Sequence, residues 1–236
     1  MAIRIKMNTI CIIPVLMTQL LFIAMPLSAE QKTGTVTREA VNSFQQGRFY
    51  HDRGDYQRAV KEYDRFMEIA PGRADAHYRR GLAYYSLGEL DRAVRDLDQA
   101  IEINPTHTEA YNLRGVAYHG LGDPAQAIKN YDKAIKLRAN FPEAYNNRGA
   151  AHVRLGDLER GLKDFTKATE LNPAFADAFY NRGTLYHNLG IFHQAVKDLD
   201  KAIELNPKNA SAYYNRGAVY GRLGDKKKKQ AIITRP

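Results

Sequence analysis

Cysteine is nearly missing from this chain. The single one, Cys11, lies in an apolar run from Ile10 to Met25 that is broken only by Thr18 and Gln19. No small-residue pair precedes Cys11, so a lipid-modified cysteine is not expected. If the run is removed, neither a disulfide nor thiol chemistry remains open to the rest of the chain. Catalytic groupings are missing too. The sequence holds no isolated Ser/His/acid set, no phosphate loop and no metal-ligand spacing, so we expect no enzyme and no cofactor or metal. An excess of charge is missing from the middle of the chain. The net charge is +9, yet residues 40–209 carry 24 basic against 23 acidic side chains. The basic excess sits in residues 1–29 and 210–236, which argues against a phosphate-tracking stripe and against nucleic acid as a partner.

What is present begins with a leader. Arg4 and Lys6 precede the apolar run, and Leu27-Ser28-Ala29 offers small residues before Glu30. This is the layout of a secretory signal peptide cleaved after Ala29, and it implies an exported, periplasmic or secreted protein. The alternative is an uncleaved membrane anchor over residues 10–29, since the run approaches the ~20 residues that span a bilayer; Pro14, Gln19 and Pro26 weaken that reading. Residues 30–39 form a polar lead-in.

From residue 40 the chain repeats itself. Gly47, Gly81, Gly115, Gly149, Gly183 and Gly217 recur every 34 residues, and Pro71, Pro105, Pro173 and Pro207 keep the same frame. Complete units run 40–73, 74–107, 108–141, 142–175 and 176–209, with a partial one over 210–224. Number each unit 1 to 34. The first helix carries apolar or small residues at 4, 8 and 11. Gly54, Gly88, Gly122, Gly156, Gly190 and Gly224 at position 15 suit a left-handed helix end. Asp55, Asp123, Asp157 and Asp225 follow as caps, and Pro124 fits a first turn. The second helix buries 20, 24 and 27 and ends at Asn-Pro. The small pair at 8 and 20, such as Gly183 and Ala195, lets the two helices approach, and Gly161 keeps that closeness in its unit.

In unit 176–209 these places hold Phe179, Gly183, Tyr186, Ala195, Leu199 and Pro207. The unit resembles the tetratricopeptide repeat (TPR) family. Arg182 stands where that family usually has Leu, and Leu199 where it has an aromatic. The resemblance covers residues 40 to about 224. It implies an all-α fold, a right-handed α-solenoid of stacked helix-turn-helix repeats. It also implies a protein–protein interaction scaffold whose concave groove holds a protein or extended peptide, although the family serves many unrelated partners.

Two positions carry the functional reading. Position 7 holds Arg80, Arg114, Arg148, Arg182 and Arg216, with Gln46 the exception. In an antiparallel hairpin it stands level with position 23, which holds Glu62, Asp96, Asn130, Asp164 and Asp198. We expect a partly buried clasp inside each hairpin, with Arg80–Asp96, Arg148–Asp164 and Arg182–Asp198 as the ion pairs. Arg114 facing Asn130 and Gln46 facing Glu62 are its weak members. Positions 5 and 6 lie on the opposite face, which lines the groove in TPR proteins. There stand Asn112, Asn146, Asn147, Tyr180, Asn181, Tyr214 and Asn215, with His187 at position 12. Asn147, Asn181 and Asn215 resemble the asparagine ladder by which some TPR proteins hold a peptide backbone. Replacing these three by Ala is expected to leave folding intact.

Position 2 is acidic, with Asp75, Glu109, Glu143 and Asp177. This argues against the carboxylate clamp of other TPR proteins and favours a neutral or basic segment as partner. His51, His119 and His187 recur two units apart, about 20 Å, too far for one metal. The tail 225–236 breaks the repeat with Lys226–Lys229, which offers contact with an anionic membrane or an acidic partner. A solenoid without an end cap also suggests a second reading, an assembly protein that associates through its ends.

Overall fold

The computed structural model describes residues 37–225, and within them the chain is helical, without strands. Eleven helices follow in order: α1 Arg38–Asp52, α2 Tyr56–Ile69, α3 Ala74–Ser86, α4 Leu90–Ile103, α5 Thr108–Gly120 and α6 Pro124–Leu137. Then come α7 Pro142–Arg154, α8 Leu158–Leu171, α9 Ala176–Asn188, α10 Phe192–Leu205 and α11 Ala210–Arg222. They pair as antiparallel hairpins, and each second helix also packs on the next first helix. The result is an α-solenoid. The leader and tail readings fall on residues 1–36 and 226–236, outside the described residues. Among the described residues, no helix is long and apolar enough to cross a membrane.

The hairpin turn is built from local chemistry. Gly54, Gly88, Gly122, Gly156, Gly190 and Gly224 all have φ between 75° and 86°, a conformation that a Cβ disfavours. Asp55, Asp123 and Asp157 then accept the N–H of Arg58, Gln126 and Arg160 at 2.9–3.1 Å, filling orphan donors at the start of the second helix. The far end has its own device. The Oδ1 atoms of Asn104, Asn172 and Asn206 accept the N–H two residues on, at 3.0–3.2 Å. These turns redirect the chain into the next unit.

Positions 20, 24 and 27 of the second helices are buried throughout: Ala59, Tyr63 and Phe66 in α2, then the same places down to Ala195, Leu199 and Ala202 in α10. The close approach at position 8 is decided mainly by position 24. A Cβ on Gly115 would stand 2.6 Å from the Tyr131 ring, so the ring occupies the space that a side chain would need. Gly161 is required for a different reason than closeness alone, because a Cβ there would meet Val153 at 2.5 Å.

The first helices differ from the one-faced reading. Besides positions 4, 8 and 11, they bury position 3 (Ala76, Ala110, Ala144, Ala178, Ala212) and position 10 (Ala83, Ala117, Ala151, Leu185, Val219). Each inner helix is flanked by its own partner and by the preceding second helix, so it needs apolar groups on two flanks. The first helices also touch one another from unit to unit, whereas no second helix packs comparably on the next second helix. The first helices therefore line the inner side of the curve.

Candidate functional site

Two polar rows run along the first helices, one on each flank. On the outer flank the arginines of position 7 grip their own hairpins. Arg80 holds Asp96 through Nε and Nη2 at 2.7 and 2.6 Å, Arg148 holds Asp164 at 2.8 and 2.7 Å, and Arg182 holds Asp198 at 2.6 and 2.9 Å. Arg114 donates to the neutral Asn130 at 2.7 Å. The three carboxylates are nearly buried, which makes their fork-shaped partners necessary. Burial pushes the Asp96 carboxyl up, but Arg80 and His77 outweigh it and hold it below the usual range.

The clasp is not confined to one hairpin, and here the reading needs correction. Nη1 of each arginine reaches back to the preceding unit. It meets Asp64 from Arg80, Asp98 from Arg114, Asp132 from Arg148 and Asp200 from Arg216. Arg182 meets the Thr169 hydroxyl at 2.8 Å instead. The guanidiniums of Arg80, Arg114, Arg148 and Arg182 are thus rivets through two units, and Arg216 ties its unit to the one before. The acids at position 25 were visible in the sequence as a recurring Asp, with Thr166 as the exception, but their partner lies 16 residues ahead in the next unit. Gln46, in the first unit, has no preceding unit among the described residues.

On the inner flank the asparagines of position 6 also look backward. Asn147 Nδ2 donates to Asn112 Oδ1 at 3.3 Å, and Asn181 Nδ2 to Asn146 Oδ1 at 2.9 Å. Asn215 Nδ2 donates to the Thr184 hydroxyl at 3.0 Å and the Tyr180 hydroxyl at 3.3 Å. In units four to six, position 6 therefore bonds to position 5 of the unit before, and in unit six to position 9 as well. Asn146 is buried by this contact at 7% exposure, so it is not a free groove residue as the sequence suggested. The amide N–H groups are also in use within the fold, so the three asparagines are not neutral in folding. Their Oδ1 atoms accept no hydrogen bond among the described residues. Tyr214, at position 5 of the sixth unit, is 77% exposed. His187 packs toward Phe192 of its own hairpin, ring centroids 6.2 Å apart.

The acidic row at position 2 divides. Asp75 and Glu109 flank the buried His107, each 3.4 Å from one ring nitrogen, and Glu109 also pairs with Arg138 at 2.7 Å. Burial raises the Glu109 carboxyl, but its own backbone N–H and Arg138 leave it lowered. Glu143 and Asp177 are exposed and make no ion pair or hydrogen bond among the described residues.

A family model described as "TPR repeat" matches residues 47–88, 81–122 and 121–156. Models described as "Tetratricopeptide repeat" match 142–175, 176–209 and 199–231. The chain belongs to the TPR family. No curated protein matches its sequence. Among solved structures it is similar to MamA, at 25% identity and TM-score 0.60, covering 70% of this chain and 96% of that one. It is similar in fold to PilW, described as a widely conserved type IV pilus biogenesis factor, at 20% identity and TM-score 0.76, covering 83% and 91%. It is also similar in fold to YrrB, described as a TPR protein with an unusual peptide-binding site, at 24% identity and TM-score 0.59, covering 79% and 94%. TPR repeats make protein–protein interaction scaffolds, and this chain carries them along most of its length.

Within the TPR frame, position 12 holds histidines of differing surroundings. His51 lies edge-on to Tyr56, centroids 5.2 Å apart. Burial and the neighbouring Arg154 lower the proton affinity of His119. Among the described residues, no group of three His, Cys, Asp or Glu side chains is placed to hold a metal.

Proposed function

We propose that the protein is an exported TPR scaffold that binds an extended peptide segment along the inner face of its first helices, acting by binding rather than by catalysis. One observation carries this reading. Asn147, Asn181 and Asn215 are each held by a hydrogen bond that their Nδ2 donates to the unit before, which leaves Oδ1 as an oriented acceptor at one-unit spacing. Helix packing spaces such units by about 10 Å, close to three residues of extended chain. A peptide backbone N–H then meets an acceptor about every third residue, with little dependence on peptide side chains. Tyr180 and Tyr214 add apolar contact beside the row. The unpaired Glu143 and Asp177 favour neutral or basic residues opposite units four and five.

The test is a selection of random dodecapeptides on the protein, followed by calorimetric titration of the best binder. Asn147→Ala/Asn181→Ala/Asn215→Ala is expected to weaken binding by about 1 kcal/mol per lost bond. Unchanged affinity moves the site off this face. Export is tested separately: the intact mass of the native protein is expected to correspond to a chain starting at Glu30, and a full-length mass in the membrane fraction would mean an anchor.

A further inference from the structure

The inner face changes character at its N-terminal end. Position 2 is Val41 there rather than an acid, position 5 is Phe44, and position 9 is Arg48; the next unit places Arg79 at position 6. A cavity of about 300 Å³ opens between these units, lined by Val41, Phe44, Arg48, Phe66, Arg73 and Asp75 among others. Its floor is apolar, and Val41 is 42% exposed.

Arg73 of the lining is engaged, and Asp75 lies 3.4 Å from Nε2 of His107, but two other arginines at this end lack partners among the described residues. Arg48 and Arg79 make no hydrogen bond or ion pair among the described residues; Arg79 merely lies near the Tyr78 ring, at 5.9 Å. At the last joint, position 6 bonds across to positions 5 and 9 of the unit before, and at the two joints preceding it to position 5. By that rule Arg79 stands over Phe44 and Arg48, so two cations that do not bond to one another share one place. Beside Phe44, ring centroids 5.8 Å apart, lies Tyr63, whose hydroxyl is wholly buried and without a hydrogen-bond partner among the described residues. Burial pushes this phenol up to about 12, while Arg79 and Arg48 act to lower it. A buried donor without an acceptor is costly, and two unpaired guanidiniums call for an anion.

We propose that units one and two form a pocket for an acidic side chain next to an apolar one in the bound peptide, the carboxylate between Arg48 and Arg79 and the apolar group on Val41, Phe44 and Phe66. This rests on the peptide-binding reading above and adds a polarity to it. An acidic–apolar pair anchors one end of the segment, and Glu143 and Asp177 favour a neutral or basic stretch further on. The anchor fixes which way the peptide runs.

The experiment uses the full chain and a displayed library of random dodecapeptides, with capped synthetic copies of the winners for affinity. Capping removes terminal carboxylates, so any acid read is a side chain. We expect Asp or Glu within about two residues of an apolar residue to be enriched at least tenfold over the input. Arg48→Ala/Arg79→Ala is expected to abolish that enrichment and to weaken the winning acidic peptide about tenfold, more at low salt than at high salt. Tyr214→Ala should leave the enrichment in place. Enrichment that survives in the double arginine variant overturns the proposal, as does selection of basic–apolar pairs. If the arginine variant changes nothing while the triple asparagine variant weakens every winner, the pocket is wrong and the groove reading stands. If neither variant changes binding, both fall. If residues 1–36 of this chain or a second copy fill the pocket instead, a chain starting at residue 37, or a tenfold dilution, raises peptide affinity, and the proposal falls.

Discussion

The first two units and the last two described units share a backbone plan but treat their inner faces in opposite ways. At the C-terminal end, Asn215 is tied to Tyr180 and Thr184 across the joint. At the N-terminal end, Arg79 and Arg48 stand over the equivalent joint without bonding across it. The outer flank does not share this contrast, since Arg80 and Arg216 both reach an acid of the unit before. The repeat therefore assigns cohesion to its outer row everywhere. Its inner row holds units together in one half and leaves Arg48 and Arg79 without a bond across the joint in the other.

The largest expected effect breaks the outer row. Arg182→Ala leaves Asp198, 3% exposed, with no other partner among the described residues, and removing one half of a buried pair costs about 3–5 kcal/mol. Arg148→Ala leaves Asp164 with His152 still 3.9 Å away, so its urea midpoint should fall less. Equal midpoints for the two variants would show that the carboxylate is stabilised by something other than its arginine.

A smaller effect sharpens the inner contrast. Asn147→Ala/Asn181→Ala/Asn215→Ala loses amide bonds of about 1 kcal/mol each, partly offset because Ala is the better helix former by up to ~0.7 kcal/mol. Arg48→Ala/Arg79→Ala removes no bond within the fold and should leave the melt unchanged. If hydrogen exchange at the C-terminal joints is the same in both variants, the asparagine cross-links carry no cohesion.

Acid should act on the outer row next. Asp96 is held below its ordinary range in the folded state, so its contribution is complete above the unfolded value near ~3.9 and is lost as pH falls through the lower folded value. A stability profile between pH 5 and pH 2 should be shallower for Asp96→Asn than for the parent chain. The smallest effect is Lys201→Ala: its contact to Glu204 is an exposed surface pair, and we expect a change within about 0.5 kcal/mol.

What the sequence made legible was local. The left-handed glycines, the aspartate caps and the buried stripe of the second helices depend on neighbours within one or two turns, and a 34-residue period displays them openly. The arginine forks could be foreseen within a hairpin because acid and base recur together. What escaped depended on contacts between units. Asp64 and Asp98 carry no mark of their role until the next unit's arginine is placed beside them. Asn146 looked free because a helical wheel does not show which flank the following helix covers. Positions 3 and 10 were missed for the same reason, since a wheel read in isolation assigns a helix one buried face.

The rivets also have a genetic consequence. The acid ties of Arg80, Arg114, Arg148 and Arg216 link position 7 of one unit to position 25 of its predecessor, so an in-frame loss of 34 residues can leave the pattern whole. Excision of residues 142–175 would bring Arg182 opposite Asp132, the present partner of Arg148, and Asn181 opposite Asn112, the present partner of Asn147. The new junction would even gain an acid where Arg182 now finds only a threonine. Recombination at that junction can therefore shorten the array without an unmatched seam, and the span of its inner face is a quantity that inheritance can adjust in whole units.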